Sequence, residues 1–272
     1  MIEALGEMFS YDFMRRAFGG ILLLVPLFSL LGTLVVNQGL SFFSDALGHS
    51  ALTGVGLGVL LGLGDQTPAM LLFAVLFALA MNAIRRSRLT SSDTVIGVFS
   101  SCGVALGLVL LSRGNYHGYQ SLLIGDILSV TGEQLWVLGG TLLAVAVLWL
   151  FCFNPFLAMS VNPSLARSRA LPVRWLDDLL VVVLAAVVML AIRWVGLLLI
   201  NAMLILPAAS ARNIARGTRN YLLLTVVFGL FSGLLGLTLA YLNGFAAGPT
   251  VVLVNAAVFF GTFLMGKTKT SS

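Results

Sequence analysis

Residues 221–242 read YLLLTVVFGLFSGLLGLTLAYL, an unbroken run without Asp, Glu, Lys, Arg or His. A helix needs about 20 such residues to cross the hydrocarbon core of a bilayer. A charge-free run of this length is read as a membrane span. Working outward, candidate spans lie at 17–36, 40–62, 68–84, 94–112, 134–153, 177–193, 195–211 and 249–266, which makes nine. The stretch 177–211 is too long for one crossing, since a helix of that length would measure about 52 Å at 1.5 Å per residue. The break is placed at Arg193-Trp194, an interfacial pair followed by Gly196. The run 121–130 is too short to cross and reads as a re-entrant or surface helix.

Composition agrees. Of 272 residues, 59% are hydrophobic and 9% charged, against about 45–50% and about 25% in soluble domains. So few charges cannot cover the surface of a soluble fold of this size, which excludes a soluble enzyme, a nucleic-acid binder and a disordered chain. The net charge of +5 is that of a membrane protein whose cations gather in cytoplasmic loops. With Asn37 facing the cytoplasm, the inner loops hold Arg85, Arg86, Arg88, Arg167, Arg169, Arg174, Arg212, Arg216, Arg219, Lys267 and Lys269, leaving Arg15, Arg16, Arg113 and Arg193 outside. The positive-inside rule therefore places the N-terminus outside and the C-terminus in the cytoplasm. The reading is an all-α polytopic membrane protein of eight or nine transmembrane helices. Residues 1–16 form an interfacial amphipathic segment, 17–266 the membrane domain and 267–272 a cytoplasmic tail. No loop exceeds about 25 residues, so no soluble catalytic domain fits and the chain is not an enzyme. Small residues at Gly54-Gly58-Gly62, Gly103-Gly107 and Gly229-Gly233 predict close helix approach.

Ionisable groups inside a membrane are costly, an Asp near a helix centre costing about 2.5–3.5 kcal/mol. One span carries a clear pair: LSFFSDALGHSALTGVGLGVLLG (40–62) holds Asp45 and His49. Their spacing of four places them on one helix face, with Ser41 and Thr53 along the same stripe. The pair reads equally as a structural ion pair or as a transient site for a divalent transition metal, which carboxylate and imidazole both ligate. Asn201 and Asn255 are more often interhelical glue than ligands. Asp126 either lines an outer vestibule or caps a helix, Asp93 reads as an N-cap, and His117 as a solvated surface residue. Cys102 and Cys152 lie in apolar runs with no ligand partner at useful spacing. GTFLMGKT (261–268) satisfies the pattern GxxxxGK[ST] but closes a membrane span, without the strand and polar loop that a phosphate cradle needs. After Pro207, SARNIARGTRN (210–220) reads as a short amphipathic helix on the cytoplasmic face, either a positive-inside anchor or a docking helix.

Five ordered segments carry a resemblance: FFSDALGHSALTGVGLG (42–58), SSDTVIGVFSSCGVALGLVLLS (91–112), SLLIGDILSVTGEQL (121–135), VGLLLINAMLILPAASARNIAR (195–216) and AGPTVVLVNAAVFF (247–260). Together they resemble the permease subunit of bacterial ABC importers for zinc and manganese. The resemblance implies a homodimer in the bacterial inner membrane, contacting lipid and no nucleic acid. It implies a cytoplasmic ATPase subunit, an extracytoplasmic metal-binding protein, and Zn²⁺ or Mn²⁺ as transported substrate, with no cofactor bound by this chain. Asp45 and His49 fall on the family's Asp and His and become the expected metal ligands. Asp126 and Asn201 are possible pathway or vestibule residues. Ser210, Arg212, Asn213, Ile214 and Arg216 fall where the family couples to its ATPase. Asn154-Pro155, where many manganese-type members carry Asp-Pro, and NPSLARSR (162–169) tilt the expectation toward zinc. The rival readings are an ion-coupled secondary carrier, an ABC permease for a larger ligand such as a siderophore, and a scaffold that binds a partner at the Arg212 loop.

Overall fold

The computed structural model describes residues 7–87, 89–113, 126–161, 166 and 168–270. The described secondary structure is helical: α1 (Asp12–Asn37), α2 (Ser41–Leu60), α3 (Thr67–Ser87), α4 (Ser92–Arg113), α5 (Gly132–Val161), α6 (Val173–Val195), α7 (Leu197–Ile214), α8 (Thr218–Asn243) and α9 (Ala247–Thr270), with one 3₁₀ turn at Ile127–Ser129. Eight of these nine are long and apolar enough to cross a membrane. The ninth, α2, has the length, but Asp45, His49 and its serines dilute its apolar character. The chain is an all-α polytopic membrane protein.

Apolar runs mark the part of each helix that sits in hydrocarbon, and the helices continue past it. Thus α1 starts at Asp12, and α9 runs unbroken through GTFLMGKT to Thr270, which leaves that motif helical and unable to wrap a phosphate. The break expected near Arg193-Trp194 is present: α6 ends at Val195, and Gly196 takes φ +81°, a backbone region open to glycine at no steric cost. Two expectations are corrected. Ser91, not Asp93, caps α4, its Oγ accepting from the Thr94 N–H at 3.2 Å; Asp93 sits in the first turn, where its charge favours the helix dipole. Residues 210–214 form no separate amphipathic helix. They are the last turn of α7, which continues through Pro207, and the chain breaks only at 215–217. Of the run 121–130, residues 126–130 hold the 3₁₀ turn, while 121–125 and His117 lie outside the described residues.

The chain divides into two compact units. The first, 1–39, 124–152 and 194–272, is built on α7, α8 and α9 packed together, with α1 against α7 and α8. A Cβ at Gly233 would lie 2.6 Å from Ile21 Cγ2, so glycine sets the α1–α8 approach. Asn255 is fully buried, its amide donating to the Val251 carbonyl at 3.2 Å and meeting Met203 Sδ at 3.5 Å; it joins α9 to α7, the role expected of an intramembrane Asn.

The second unit, 40–123 and 153–193, centres on α2, which packs along α4 and α3. Phe43, Leu47, Leu52 and Val55 of α2 are buried. The contact is backbone-close. A Cβ at Gly107 would lie 2.6 Å from Leu52 Cβ and 2.8 Å from the Leu52 carbonyl carbon and Thr53 N, and one at Gly54 would lie 2.6 Å from Met70 Cα. Thr53 Oγ1 donates to the Gly103 carbonyl at 2.5 Å, so Thr53 clips two helices together and leaves the Asp45–His49 stripe. Because the obstruction at Gly107 is backbone, Gly107→Ala is expected to lower the thermal midpoint in detergent, at a cost of about 1–3 kcal/mol. Gly97→Ala on the same helix, with nothing within 4 Å, is expected to leave the midpoint unchanged or slightly raised; equal loss in both variants would refute the packing account.

Candidate functional site

Asp45 and His49 stand one turn apart on α2, with His49 Nε2 and Asp45 Oδ2 separated by 3.6 Å. This is beyond hydrogen-bond length. It is close to the spacing of two ligand atoms on one tetrahedral metal ion, which at bond lengths of 2.0–2.2 Å is about 3.4 Å. The side chains are neither sealed nor fully solvated, with 42% of Asp45 and 32% of His49 exposed. Phe42 is exposed and Ser41 partly so, residues 50–56 beyond His49 are buried, and α2 opens again at Leu57, Val59 and Leu60 near its end. Sequence dictates this asymmetry. Gly54, Gly56 and Gly58 let neighbours close over the second half, whereas the first half presents a carboxylate, an imidazole and a phenyl ring on its open side. Among the described residues, no group of three or more His, Cys, Asp and Glu gathers as a metal site. One chain thus offers a cation two protein ligands here and leaves its other positions for something else to fill.

The helices around α2 are pinned by ion pairs at both ends of α3. At one end, Arg85 bridges both carboxylate oxygens of Asp177 at 2.9 and 3.0 Å and also holds the Asn82 side-chain carbonyl. Arg86 pairs with Asp178 at 2.9 Å, and the Asn82 amide donates to Asp178 at 2.8 Å. Asn82 and Asp177 are buried, so each needs its partner to offset desolvation. At the other end, Arg193 reaches Asp65 at 2.7 Å and also bonds the Thr67 hydroxyl. Asp65 further accepts from the Thr67 hydroxyl at 2.7 Å and from its N–H at 3.1 Å. These Thr67 bonds, with the Arg193 guanidinium behind them, hold the Asp65 carboxyl down at about 2. Sequence reading missed these clamps. The visible signal was opposite charge doublets, Arg85-Arg86 and Asp177-Asp178, at the ends of two spans.

The remaining site expectations lie in the first unit. Asp126 is exposed and caps the 3₁₀ turn, accepting from the Leu128 N–H at 2.9 Å. Asn201 is partly buried in α7. Ser210 is buried, its hydroxyl returned to the Leu206 carbonyl at 2.7 Å. Arg212 donates to the Val36 carbonyl at the end of α1, at 3.1 Å, and Asn213 to Thr262 Oγ1 on α9, at 3.2 Å. Ile214 is half-buried and Arg216 exposed. Of the five residues expected to couple to a partner, three are therefore engaged within the helix bundle, and the projecting surface is the turn around Arg216.

Eight helices long and apolar enough to cross a membrane define the class as a polytopic membrane protein. The chain belongs to the ABC 3 transport family, whose model matches residues 10–266. It is 30% identical to the manganese import system permease protein ScaB of Streptococcus gordonii, over 97% of this chain and 95% of the relative. It is also 30% identical to the high-affinity zinc uptake system membrane protein ZnuB of Haemophilus influenzae, over 84% of this chain and 88% of the relative. Its fold superposes on the solved structure of PsaBC from Streptococcus pneumoniae in complex with Fab, with TM-score 0.83 and 31% identity over 97% of this chain and 95% of that one. The chain is a multi-pass permease subunit of the bacterial inner membrane, and ATP hydrolysis belongs to a separate subunit.

The Asp65 clamp has a defined pH signature. The folded carboxyl titrates below its ordinary value of 3.8, at about 2, so the clamp's stabilisation is present above pH 3.8 and is lost as pH falls through 2. Asp65→Asn is expected to flatten the fall in thermal midpoint between pH 5 and pH 2. A variant profile parallel to the wild type would show that Asp65 is not held.

Proposed function

We propose that the chain is the transmembrane subunit of an ATP-driven importer that moves a divalent transition metal into the cytoplasm, with zinc preferred over manganese. The observation that carries this reading is the Asp45–His49 pair, open to one side on a helix otherwise gripped by glycine contacts. Two copies in a homodimer, with their α2 openings facing one path, supply two carboxylates and two imidazoles. A transit site must replace an ion's hydration yet release it. Two ligands per chain without a thiolate meet that need. Metal reaches the path from an extracytoplasmic binding protein. ATP binding by two cytoplasmic subunits, docked on the α7–α8 turn with Ser210, Arg212, Asn213, Ile214 and Arg216 as the coupling element, switches the dimer between outward and inward states. Asp126 and Asn201 are assigned to the approach and the pathway wall.

The relatives' names divide between the two metals. Support for zinc comes from chemistry. A mixed nitrogen and oxygen site binds Zn²⁺ more tightly than Mn²⁺. Asn154-Pro155 points the same way.

Asp45→Ala and His49→Ala are expected to abolish metal-dependent growth and uptake of radioactive zinc while the variants still assemble with the ATPase subunit. Wild-type uptake by both variants removes the transit site, and faster uptake of manganese than of zinc at equal concentration reverses the preference. Gradient-driven uptake by the purified chain without ATPase would support the secondary carrier instead.

A further inference from the structure

Helix α2 is open along one stripe. Of residues 40–56, those not buried are Ser41, Phe42, Asp45 and His49. At about 100° per residue these four fall within an arc of about 100°, so they share one face of the helix. Three of the four side chains are polar. Ionisable groups on a membrane helix turn away from lipid, because hydrocarbon cannot solvate them, so this face meets water or a polar path. Phe42 is its one apolar member. The ring is 68% exposed, whereas Leu40, Phe43 and Leu47 on the same stretch are fully buried. A ring that anchors a helix in lipid has apolar neighbours. A ring that shares its face with a carboxylate and an imidazole leaves apolar surface against a wet path, which is unfavourable unless something covers it.

The two ends of the stripe are closed by different means. Beyond His49 the face continues through Thr53 and Gly56, and α4 lies over both. Thr53 donates to the Gly103 carbonyl, and a Cβ at Gly56 would lie 2.7 Å from Leu110 Cβ. That closure is made by backbone and moves only when the two helices move. Toward the other end, which is cytoplasmic in the proposed orientation, the stripe ends at Ser41 and Phe42. The Phe42 position lies about 4.5 Å from Asp45 and about 10 Å from His49 along the helix axis. An exposed side chain of this kind changes rotamer in picoseconds to nanoseconds, so this end can open without any helix moving.

We propose that Phe42 is the cytoplasmic gate of the transit site, an apolar plug that stops hydrated ions until the ring turns aside. The gate rests on the function proposed above, in which the α2 openings of two copies face one path, so that their two Phe42 rings meet across it. Contact between the rings buries the apolar surface that each chain alone leaves exposed, and aromatic pairs are favoured beyond their area. A constriction lined by such rings sheds water and blocks ions that keep their hydration shells. Asp45 and His49 stand directly beside it, where a cation exchanges water for protein ligands before it passes.

The test uses the full-length chain assembled with its ATPase subunit in liposomes that enclose a zinc-sensitive dye. Without ATP, wild type is expected to pass little zinc down its gradient. Phe42→Ala should raise this ATP-independent flux about tenfold, while Phe42→Leu, which keeps an apolar plug, should hold the leak near its wild-type level. In a background carrying Cys102→Ala and Cys152→Ala, Phe42→Cys should react with a water-borne, membrane-impermeant thiol reagent. A leak in Phe42→Ala no greater than in wild type overturns the gate. An equal leak in Phe42→Leu also overturns it, because it reports a general loosening of the bundle. Phe42→Cys that resists the water-borne reagent places position 42 in lipid or in a sealed contact, and this too overturns it. Thiol labelling is read without metal, so the two failures are distinguishable. A failed gate leaves the loss of uptake in Asp45→Ala intact, whereas wild-type uptake by Asp45→Ala and His49→Ala removes the transit site and leaves the labelling of position 42 unchanged.

Discussion

A carboxylate and an imidazole on a membrane helix must be kept from unfavourable burial in hydrocarbon, and that constraint organises the second unit. Helix α2 is the one of the nine long described helices without a membrane-spanning apolar run, and close contacts at its glycines hold it against its neighbours. Gly54 and Gly107 allow backbone-close packing against α3 and α4, and Thr53 bonds across to Gly103. That grip falls on the second half of the helix. The first half is left with one open side, and Asp45 and His49 occupy it. Fixing one half and opening the other gives a pair of ligands at a defined spacing without enclosing them. A site through which an ion passes needs this arrangement more than it needs high affinity.

Electrostatics complete the frame. The ion pairs Arg85–Asp177, Arg86–Asp178 and Arg193–Asp65 join segments at both ends of α3. Breaking the buried pair would leave Asp177 uncompensated, which costs far more than the pair contributes to stability. The pair is therefore better seen as fixing register between helices than as a source of net stability. Among the described residues, the first unit shows no equivalent ion pair at the Arg212 end of α7. There, the Val36 carbonyl and Thr262 take up Arg212 and Asn213, and Arg216 and Arg219 are exposed.

Much of this was legible in the sequence because membrane burial writes itself in composition. The spans, the break before Gly196 and the close contacts at Gly54, Gly107 and Gly233 follow from runs of apolar and small residues. The Asp45–His49 face follows from a spacing of four. Other features depend on which distant residues meet. Residues 85 and 177 are 92 positions apart with two membrane-spanning helices between them, and no periodicity announces their pairing. The cap on α4 was misplaced by two residues because Ser91 and Asp93 are both good capping types. The turn after Pro207 was misread because SARNIAR has the polarity of a surface helix. In the fold, Ser210 satisfies itself on its own helix and Arg212 and Asn213 find partners on α1 and α9, so α7 simply continues. Gly62, read as a packing residue, takes φ +66° with nothing within 4 Å and ends α2 instead.

The central claim is that Asp45 and His49 share a metal ion. Cobalt(II) absorption spectroscopy of the purified protein tests it most directly, because ligand-field bands report both geometry and ligand type. The account predicts a tetrahedral Co²⁺ spectrum saturating at one ion per two chains and displaced by Zn²⁺, with the bands lost in His49→Gln and weakened in Asp45→Asn. A spectrum indifferent to both substitutions, or saturation unrelated to the dimer, would contradict it.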